Sequence, residues 1–259
     1  MGTVSKALLL LQFFDRDRPL LGLSEVARLA GMNKATVHRM LTELQAMGFV
    51  EQVGAAREYR IGPAVLRLAG LREAAFPMRE VSLPVLRRLA DVTGETAHAG
   101  LLEGTRLAML SYAYSSRHGT RVMMDDAGVL PLHATASGLA LLAFGDPALT
   151  DAALAAPLQR YTAGTIIDPG RLRQTLETIR QAGIAESLGG FEADVHGFAV
   201  PLHDQSGTCV GTLAVAAPVA RMTDTLAAAI RTELRAAGQE LSGLLGAGAQ
   251  QAEGLRHAG

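Results

Sequence analysis

The feature that most constrains this chain is the run from Leu23 to Leu44, where two apolar stripes of helical period are separated by a single glycine. Ser24 is a good N-cap, and Val26, Ala27, Leu29 and Ala30 form the first stripe. Gly31 supplies a residue that tolerates positive φ and stops the helix. The second stripe is Val37, Met40, Leu41 and Leu44, leaving Asn33, Lys34, Thr36, His38 and Arg39 on the outer side. Two short strands should follow, Phe49–Val53 and Arg57–Ile61, joined across Gly54-Ala55-Ala56. A helix, a tight turn, a second helix with a basic outer face and a small hairpin together read as a winged helix-turn-helix. Val4 to Phe14, apolar on several sides, reads as a preceding helix buried on more than one face.

Charge supports a division of labour. Residues 1–90 carry a formal charge of +5 and residues 91–259 carry −6, although the whole chain sums to −1. Only the first part would be drawn toward a polyanion. Leu66–Ala75 and Met78–Val92 read as helices on either side of Pro77, and Pro84 should begin a new helix or kink the second. The domain boundary is placed in this stretch.

From Glu95 the period changes. Thr96–Leu102, Leu107–Tyr114 and Arg121–Met124 read as strands, as do Ile184–Glu186, Gly197–His203 and Cys209–Ala216; Thr135–Phe144, Asp168–Ala182 and Thr223–Leu245 read as helices. Hairpin strands interspersed with helices predict an α+β fold with an antiparallel sheet. The expected organisation is a winged helix-turn-helix over 1–66, a linker helix region over 67–92, a sheet domain over 93–246, and a disordered Ala-, Gly- and Gln-rich tail over 247–259. Of the 259 residues, 49% are hydrophobic and 19% charged, enough apolar side chain for a core in both parts. No apolar run approaches the length of a membrane span, and Asp15 to Arg18 close the N-terminal run without a cleavage pattern. The lone Cys209, in an apolar run, reads as a small core residue, and a cytoplasmic location is expected.

Five ordered strings, LSEVARLAGMNKATVHRMLTELQAMGFVEQ, YRIGPAVLRLA, PLHATASGLALLAF, RYTAGTIIDPGRLRQTLETIRQAGI and VPLHDQSGTCVGTLAVAAP, resemble the IclR family of bacterial transcriptional regulators over roughly residues 4 to 246. The resemblance implies a winged helix-turn-helix, a linker helix and a GAF-like effector-binding domain, assembled as homodimers or dimers of dimers. It implies regulation of transcription, often of catabolic genes, in response to small organic acids or aromatic metabolites. A required cofactor is not implied.

The residues then acquire roles. Asn33, Lys34, Thr36, His38 and Arg39 would face a double-stranded DNA operator from the second helix, and Arg57 from the wing; the bland alternative is a solvated helix face. Pro131 to Gly138 reads as a strand end entering a helix built from small residues, whose first N–H groups and dipole suit a carboxylate. His133, Thr135, Ala136 and Ser137 are therefore expected to bind effector, unless the residues are small only because the helix packs closely. Ser187, Gly197, Ala214 and Ala216 are expected on the opposite wall. This wall departs from the family pattern: Asp194-Val195-His196-Gly197 replaces the usual segment, and the final strand carries Ala214 and Ala216 where polar residues are common. With Met109, Tyr112, Phe191 and Phe198 nearby, a larger or more apolar acid is expected.

Glu192, Asp194 and His196 alternate and would share one face of an extended strand, with His98 or His133 approaching from elsewhere. Since a few related regulators are thought to hold zinc here, His133, Glu192, Asp194 and His196 are candidate zinc ligands, against the alternative of a solvated polar loop. Catalysis is not expected: Ser137 lacks the first glycine of Gly-x-Ser-x-Gly, Gly31 to Thr36 lacks phosphate-loop spacing, and there is no Cys-x-x-Cys. The rival readings are a metal-dependent enzyme using His133, His196 and Glu192, and a ligand sensor acting through protein contacts.

Overall fold

The computed structural model describes residues 2–75, 77–124 and 129–256. Two compact units emerge, Met1–Ala75 and Phe76–Gly259.

The first unit contains helices α1 (Thr3–Leu11), α2 (Leu23–Ala30) and α3 (Lys34–Ala46), strands β1 (Val50–Val53) and β2 (Glu58–Ile61), and helix α4 (Ala64–Ala75). Its core joins Leu10 of α1 to Val26 of α2, Val37 and Leu41 of α3, and Val50 and Tyr59 of the hairpin. The chain ahead of α2 adds one bridge to the hairpin, Leu21 against Tyr59. Gly62 is required here, because a Cβ at that position would lie 2.3 Å from the Gly48 carbonyl oxygen.

The second unit runs α5 (Met78–Thr93), β3 (Thr96–Glu103), β4 (Arg106–Ala113), β5 (Val129–Leu130), α6 (Ala136–Phe144), α7 (Pro147–Leu154), α8 (Pro169–Ala182), β6 (Ala185–Leu188), β7 (Val195–His203), β8 (Cys209–Pro218) and α9 (Asp224–Arg256). The strands form one sheet in the order β5-β4-β3-β8-β7-β6, every neighbouring pair antiparallel. On one face, α5 and α9 pack through Leu86, Leu89, Ile230 and Leu234 onto Phe198, Leu213 and Val215. On the other, α6 and α8 pack through Leu139, Leu142, Leu172 and Leu176 onto Leu107, Ala199 and Ala214. With both faces covered, β8 is buried along nearly its whole length, which is why Cys209 to Ala217 reads as an almost continuous apolar run. Cys209 itself is buried as expected.

This α+β architecture agrees with the sequence expectation, with several local differences. Arg121–Met124 is not a strand; Val129–Leu130 instead makes the edge pairing to β4. Val122 is tied to the sheet by its carbonyl, which accepts from the Thr96 hydroxyl at 2.8 Å, and not by a ladder. Helix α7 was not anticipated, although Asp146 caps it by accepting from Ala148 N–H and Pro147 fills its first turn. Pro84 neither starts nor ends a helix, for α5 continues from Met78 to Thr93 around it. Helix α9 does not stop at Leu245 but extends to Arg256, into the segment expected to be disordered. Among the described residues, no helix is long and apolar enough to cross a membrane.

Candidate functional site

The first candidate surface is the outer side of α3. Gly31 closes α2 at φ 63°, a left-handed conformation that suits glycine. Two residues later the Asn33 side chain caps α3 by accepting from Thr36 N–H at 2.8 Å. Val37, Met40, Leu41 and Leu44 turn inward. By the helical period, Lys34, His38 and Arg39 must then face solvent; all three are exposed, and Thr36 is half-buried. Among the described residues neither Lys34 nor Arg39 has a carboxylate partner, so both charges are available to a phosphate or a base edge. Asn33 is partly committed, since its oxygen is spent on the cap. Arg57 stands at the wing tip at φ 53°, with its Nε 3.3 Å from Gln52 Oε1 and its carbonyl accepting from Gln52 Nε2 at 2.7 Å. Its guanidinium is therefore held against the hairpin more closely than the sequence suggested.

The second is a cavity of about 240 Å³ inside the sheet unit. Its floor comes from His98 on β3, Met109 on β4, and Ala214 and Ala216 on β8. The start of α6 adds Thr135, Ala136 and Ser137; β6 and β7 add Ser187 and Gly197; the β6–β7 loop adds Gly190, Phe191 and Glu192. Val122, Met123, Met124, Leu130 and Val195 add apolar wall. Small residues permit this closure. A Cβ on Gly190 would lie 2.4 Å from the Ala134 carbonyl oxygen, and one on Gly197 would lie 3.2 Å from the Ala136 methyl. The loop is fastened from behind: Thr165 Oγ1 donates to the Gly190 carbonyl at 2.6 Å, the Thr162 hydroxyl donates to that of Gly189, and the Tyr161 ring meets Phe191 edge-on at 5.0 Å. Ser187 Oγ donates to the Ala134 carbonyl at 2.8 Å, locking β6 to the turn before α6.

Polar groups converge at one end. Thr135 caps α6, its hydroxyl accepting from Gly138 N–H at 3.0 Å and donating to the Pro131 carbonyl at 2.9 Å. The N–H groups of Ala136 and Ser137, in the first turn, have no carbonyl acceptor within the helix. Ser137 Oγ and His98 Nε2 lie 3.1 Å apart, both residues buried. Burial pushes the His98 imidazole down to about 4, so it is neutral near pH 7. At the wall, burial first and then repulsion by Asp194 raise the Glu192 carboxyl above its ordinary value.

Seven of the eight residues expected at the effector site, Thr135, Ala136, Ser137, Ser187, Gly197, Ala214 and Ala216, do line this cavity. His133 does not: its Nε2 lies 2.8 Å from the Gln159 carbonyl and its ring packs against Tyr161. Nor is close packing merely an alternative to binding, because the two divide by residue. A Cβ on Gly138 would lie 2.4 Å from the backbone of Leu132, so this glycine serves packing, while Ala136 serves the cavity. His98 enters the sequence reading only as a ligand approaching the Glu192–His196 face; in the fold Ala97 and Ala99 turn to the α5–α9 core, and His98 between them turns to α6.

The candidate zinc set is not assembled. Glu192 and Asp194 lie in a bend and turn before β7 begins at Val195, so they share no strand face with His196. His196 lies 3.6 Å from Glu186, which Arg231 holds by two hydrogen bonds of 2.6 and 3.0 Å, and its ring stacks on Phe198. His133 is occupied as described. Among the described residues no three His, Cys, Asp or Glu side chains converge as a metal site.

Comparison with known proteins places both regions. The family model for the IclR helix-turn-helix domain matches residues 3–54, and that for the bacterial transcriptional regulator IclR C-terminal matches residues 74–243. The HTH-type transcriptional regulator BhcR of Paracoccus denitrificans is 32% identical over 223 residues, covering 86% of this chain and 80% of that protein. A crystal structure of a putative IclR transcriptional regulator from Silicibacter sp. is 54% identical with a TM-score of 0.91, covering 95% of this chain and 96% of that one. An IclR homologue from Microbacterium hydrocarbonoxydans, solved with 4-hydroxybenzoate, is 28% identical with a TM-score of 0.73, covering 93% and 99%.

Proposed function

The chain belongs to the IclR family of bacterial transcriptional regulators, and on that premise we propose that α3 reads an operator whose occupancy is set by a small organic acid bound in the sheet-unit cavity. It is a DNA-binding regulator and not an enzyme. The observation that carries the reading is the pairing, in one chain, of a helix whose outward cations Lys34 and Arg39 have no carboxylate partner among the described residues and a separate unit with a mostly apolar cavity.

Lys34, Thr36, His38 and Arg39 supply the contacts to base edges and phosphates, and Asn33 and Arg57 contacts to the backbone at the edges of the site. The major groove admits one helix, so a palindromic operator would require a second copy of the chain. Exposed Leu66 and Leu71 on α4, and Val4 and Leu8 on α1, support assembly as a homodimer. Effector binding shifts the population of dimer arrangements through the α4–α5 stretch that connects the two units, changing the fit to two half-sites. The targets are catabolic genes, and the acid has a more apolar body than the smallest organic acids, a view supported by the relative solved with 4-hydroxybenzoate. No metal is required in this scheme.

Footprinting on the DNA flanking the gene, with and without a panel of organic and aromatic acids, tests the reading. A protected palindrome whose occupancy changes with one acid is the expected result. Protection that no acid alters would remove the effector half; no protection at low salt would favour a sensor acting through protein contacts.

A further inference from the structure

Resting on the reading of this cavity as an effector site, we infer that Thr165 and His133, neither of which lines the cavity, are positioning residues for its ligand. They fasten the segment 159–165 as a strap behind two of the cavity walls, the loop 189–193 and the turn 131–135, and so hold those walls at the separation the ligand meets.

The loop is not held by its own bonds alone. It supplies Gly190, Phe191 and Glu192 to the wall and begins at Gly189 with φ 64°, a conformation that suits glycine. Gly189 N–H donates to the Val195 carbonyl at 2.9 Å, and Val195 N–H to that of Glu192 at 3.2 Å. These bonds close the base of the loop and leave the Gly189 and Gly190 carbonyls and the Phe191 ring to find partners outside it. Among the described residues, those partners come from the strap: the Thr162 hydroxyl for Gly189, the Thr165 hydroxyl for Gly190 and the Tyr161 ring for Phe191. The strap lies so close that a Cβ on Gly164 would stand 2.8 Å from the Gly189 carbonyl oxygen.

Thr165 is the node of this fastening. It is buried, and its hydroxyl accepts from Tyr161 N–H at 3.0 Å and Thr162 N–H at 2.8 Å while donating to Gly190 at 2.6 Å. A hydroxyl has one proton and two lone pairs, so all of its bonding capacity is spent. Valine has the same shape but would leave two N–H donors and a carbonyl without that partner; serine would satisfy all three.

The other end of the strap is tied to the opposite wall. His133 Nε2 lies 2.8 Å from the Gln159 carbonyl, and since a carbonyl only accepts, Nε2 carries the proton. The His133 ring packs on Tyr161, whose ring in turn meets Phe191. Directly after His133 come Ala134, Thr135, Ala136 and Ser137, all of which line the cavity. Ser187 Oγ also joins the two walls through the Ala134 carbonyl, but that bond holds β6 and not the loop beyond it.

The test combines hydrogen–deuterium exchange on the ligand-free, full-length protein with calorimetric titration of benzoate and 4-hydroxybenzoate. Wild type is compared with Thr165→Val, Thr165→Ser, Gly164→Ala and His133→Ala. In Thr165→Val the amides of residues 189–193 should exchange at least about tenfold faster, while those of β8 and α9 keep their wild-type rates. Affinity for the acid that binds should fall by about tenfold, with ligand-free operator affinity unchanged. Thr165→Ser should recover both, Gly164→Ala should push the strap away and act like Thr165→Val, and His133→Ala should cost about threefold. A threonine serving only overall stability would quicken exchange across β8 and α9 as well and would not single out acid binding. Unchanged exchange at 189–193 in Thr165→Val, or faster exchange with unchanged acid affinity, overturns this inference and leaves the effector reading intact. Binding of neither acid to the wild type removes aromatic acids from the effector reading, and the strap then stands or falls on the exchange result alone.

Discussion

Lys34 and Arg39 stand in solvent on α3 with no carboxylate beside them among the described residues, whereas His98 on β3 and Ser137 in the first turn of α6 lie buried together with no net charge between them. On the proposed reading the two units would meet anions in opposite ways. DNA is a dense, extended polyanion, and exposed mobile cations that release its counterions are the effective way to hold it. On the reading proposed above, a small acid in the cavity meets no lysine or arginine among the described lining residues, and oriented N–H and O–H dipoles would take the place of formal charge. Substitutions on α3 should therefore change binding and spare stability, while those under α6 should change stability as well as binding.

The sharpest way to break this contrast is Gly138→Ala. The added methyl would meet the Leu132 backbone at 2.4 Å, and the sheet unit should lose about 3 kcal/mol, visible in its thermal unfolding. A neutral effect would mean that α6 can lift off the sheet and that the cavity is not rigid. Nearly as large is the acid response of His98. Its folded value, about 4, lies below the unfolded value, so the unfolded state binds the extra proton between the two. Stability is then fully present above about pH 6.5 and falls as the pH drops toward 4, by up to roughly 3 kcal/mol. Burial lowers His196 as well, adding a loss of the same sign. Denaturant titrations of wild type and His98→Gln at pH 7 and 4.5 should show a smaller decline in the variant.

Arg39→Ala tests the other half. Operator affinity at fixed salt should fall by about ten- to a hundredfold while thermal stability and acid binding stay unchanged. Equal affinity in a gel shift would place the reading surface elsewhere. The smallest effect expected is that of Asn33→Ala, which removes the cap on α3 and should cost about 1 kcal/mol in the winged unit. Because that residue both caps and faces DNA, it is the one α3 position where stability and operator binding should fall together.

Legibility in the sequence follows the same division. Local chemistry sets the helix-turn-helix: Gly31 ends one helix, Asn33 starts the next, and the period of Val37, Met40, Leu41 and Leu44 decides which side chains point outward. Each of these signals acts within a few residues, so α2, α3 and the hairpin are close to where the sequence puts them. The cavity was readable only in part. The small residues of Thr135-Ala136-Ser137-Gly138 marked the helix start, but whether each served a ligand or a neighbouring backbone depended on Leu132, which lies across the turn. The zinc expectation failed for a related reason. Alternation of Glu192, Asp194 and His196 implies a common face only if the segment is extended, and it bends before β7.

From residue order alone came the family, the two-part organisation, the antiparallel sheet unit and the outward face of α3, because periodicity, capping and charge are properties of neighbours along the chain. The meeting of His98 with Ser137, the diversion of His133 and His196 to other partners, and the absence of a lysine or arginine among the described cavity residues came from pairing β3 with β8 and laying α6 across them. Residues dozens of positions apart are brought within hydrogen-bonding distance by that packing, and no local pattern carries the information.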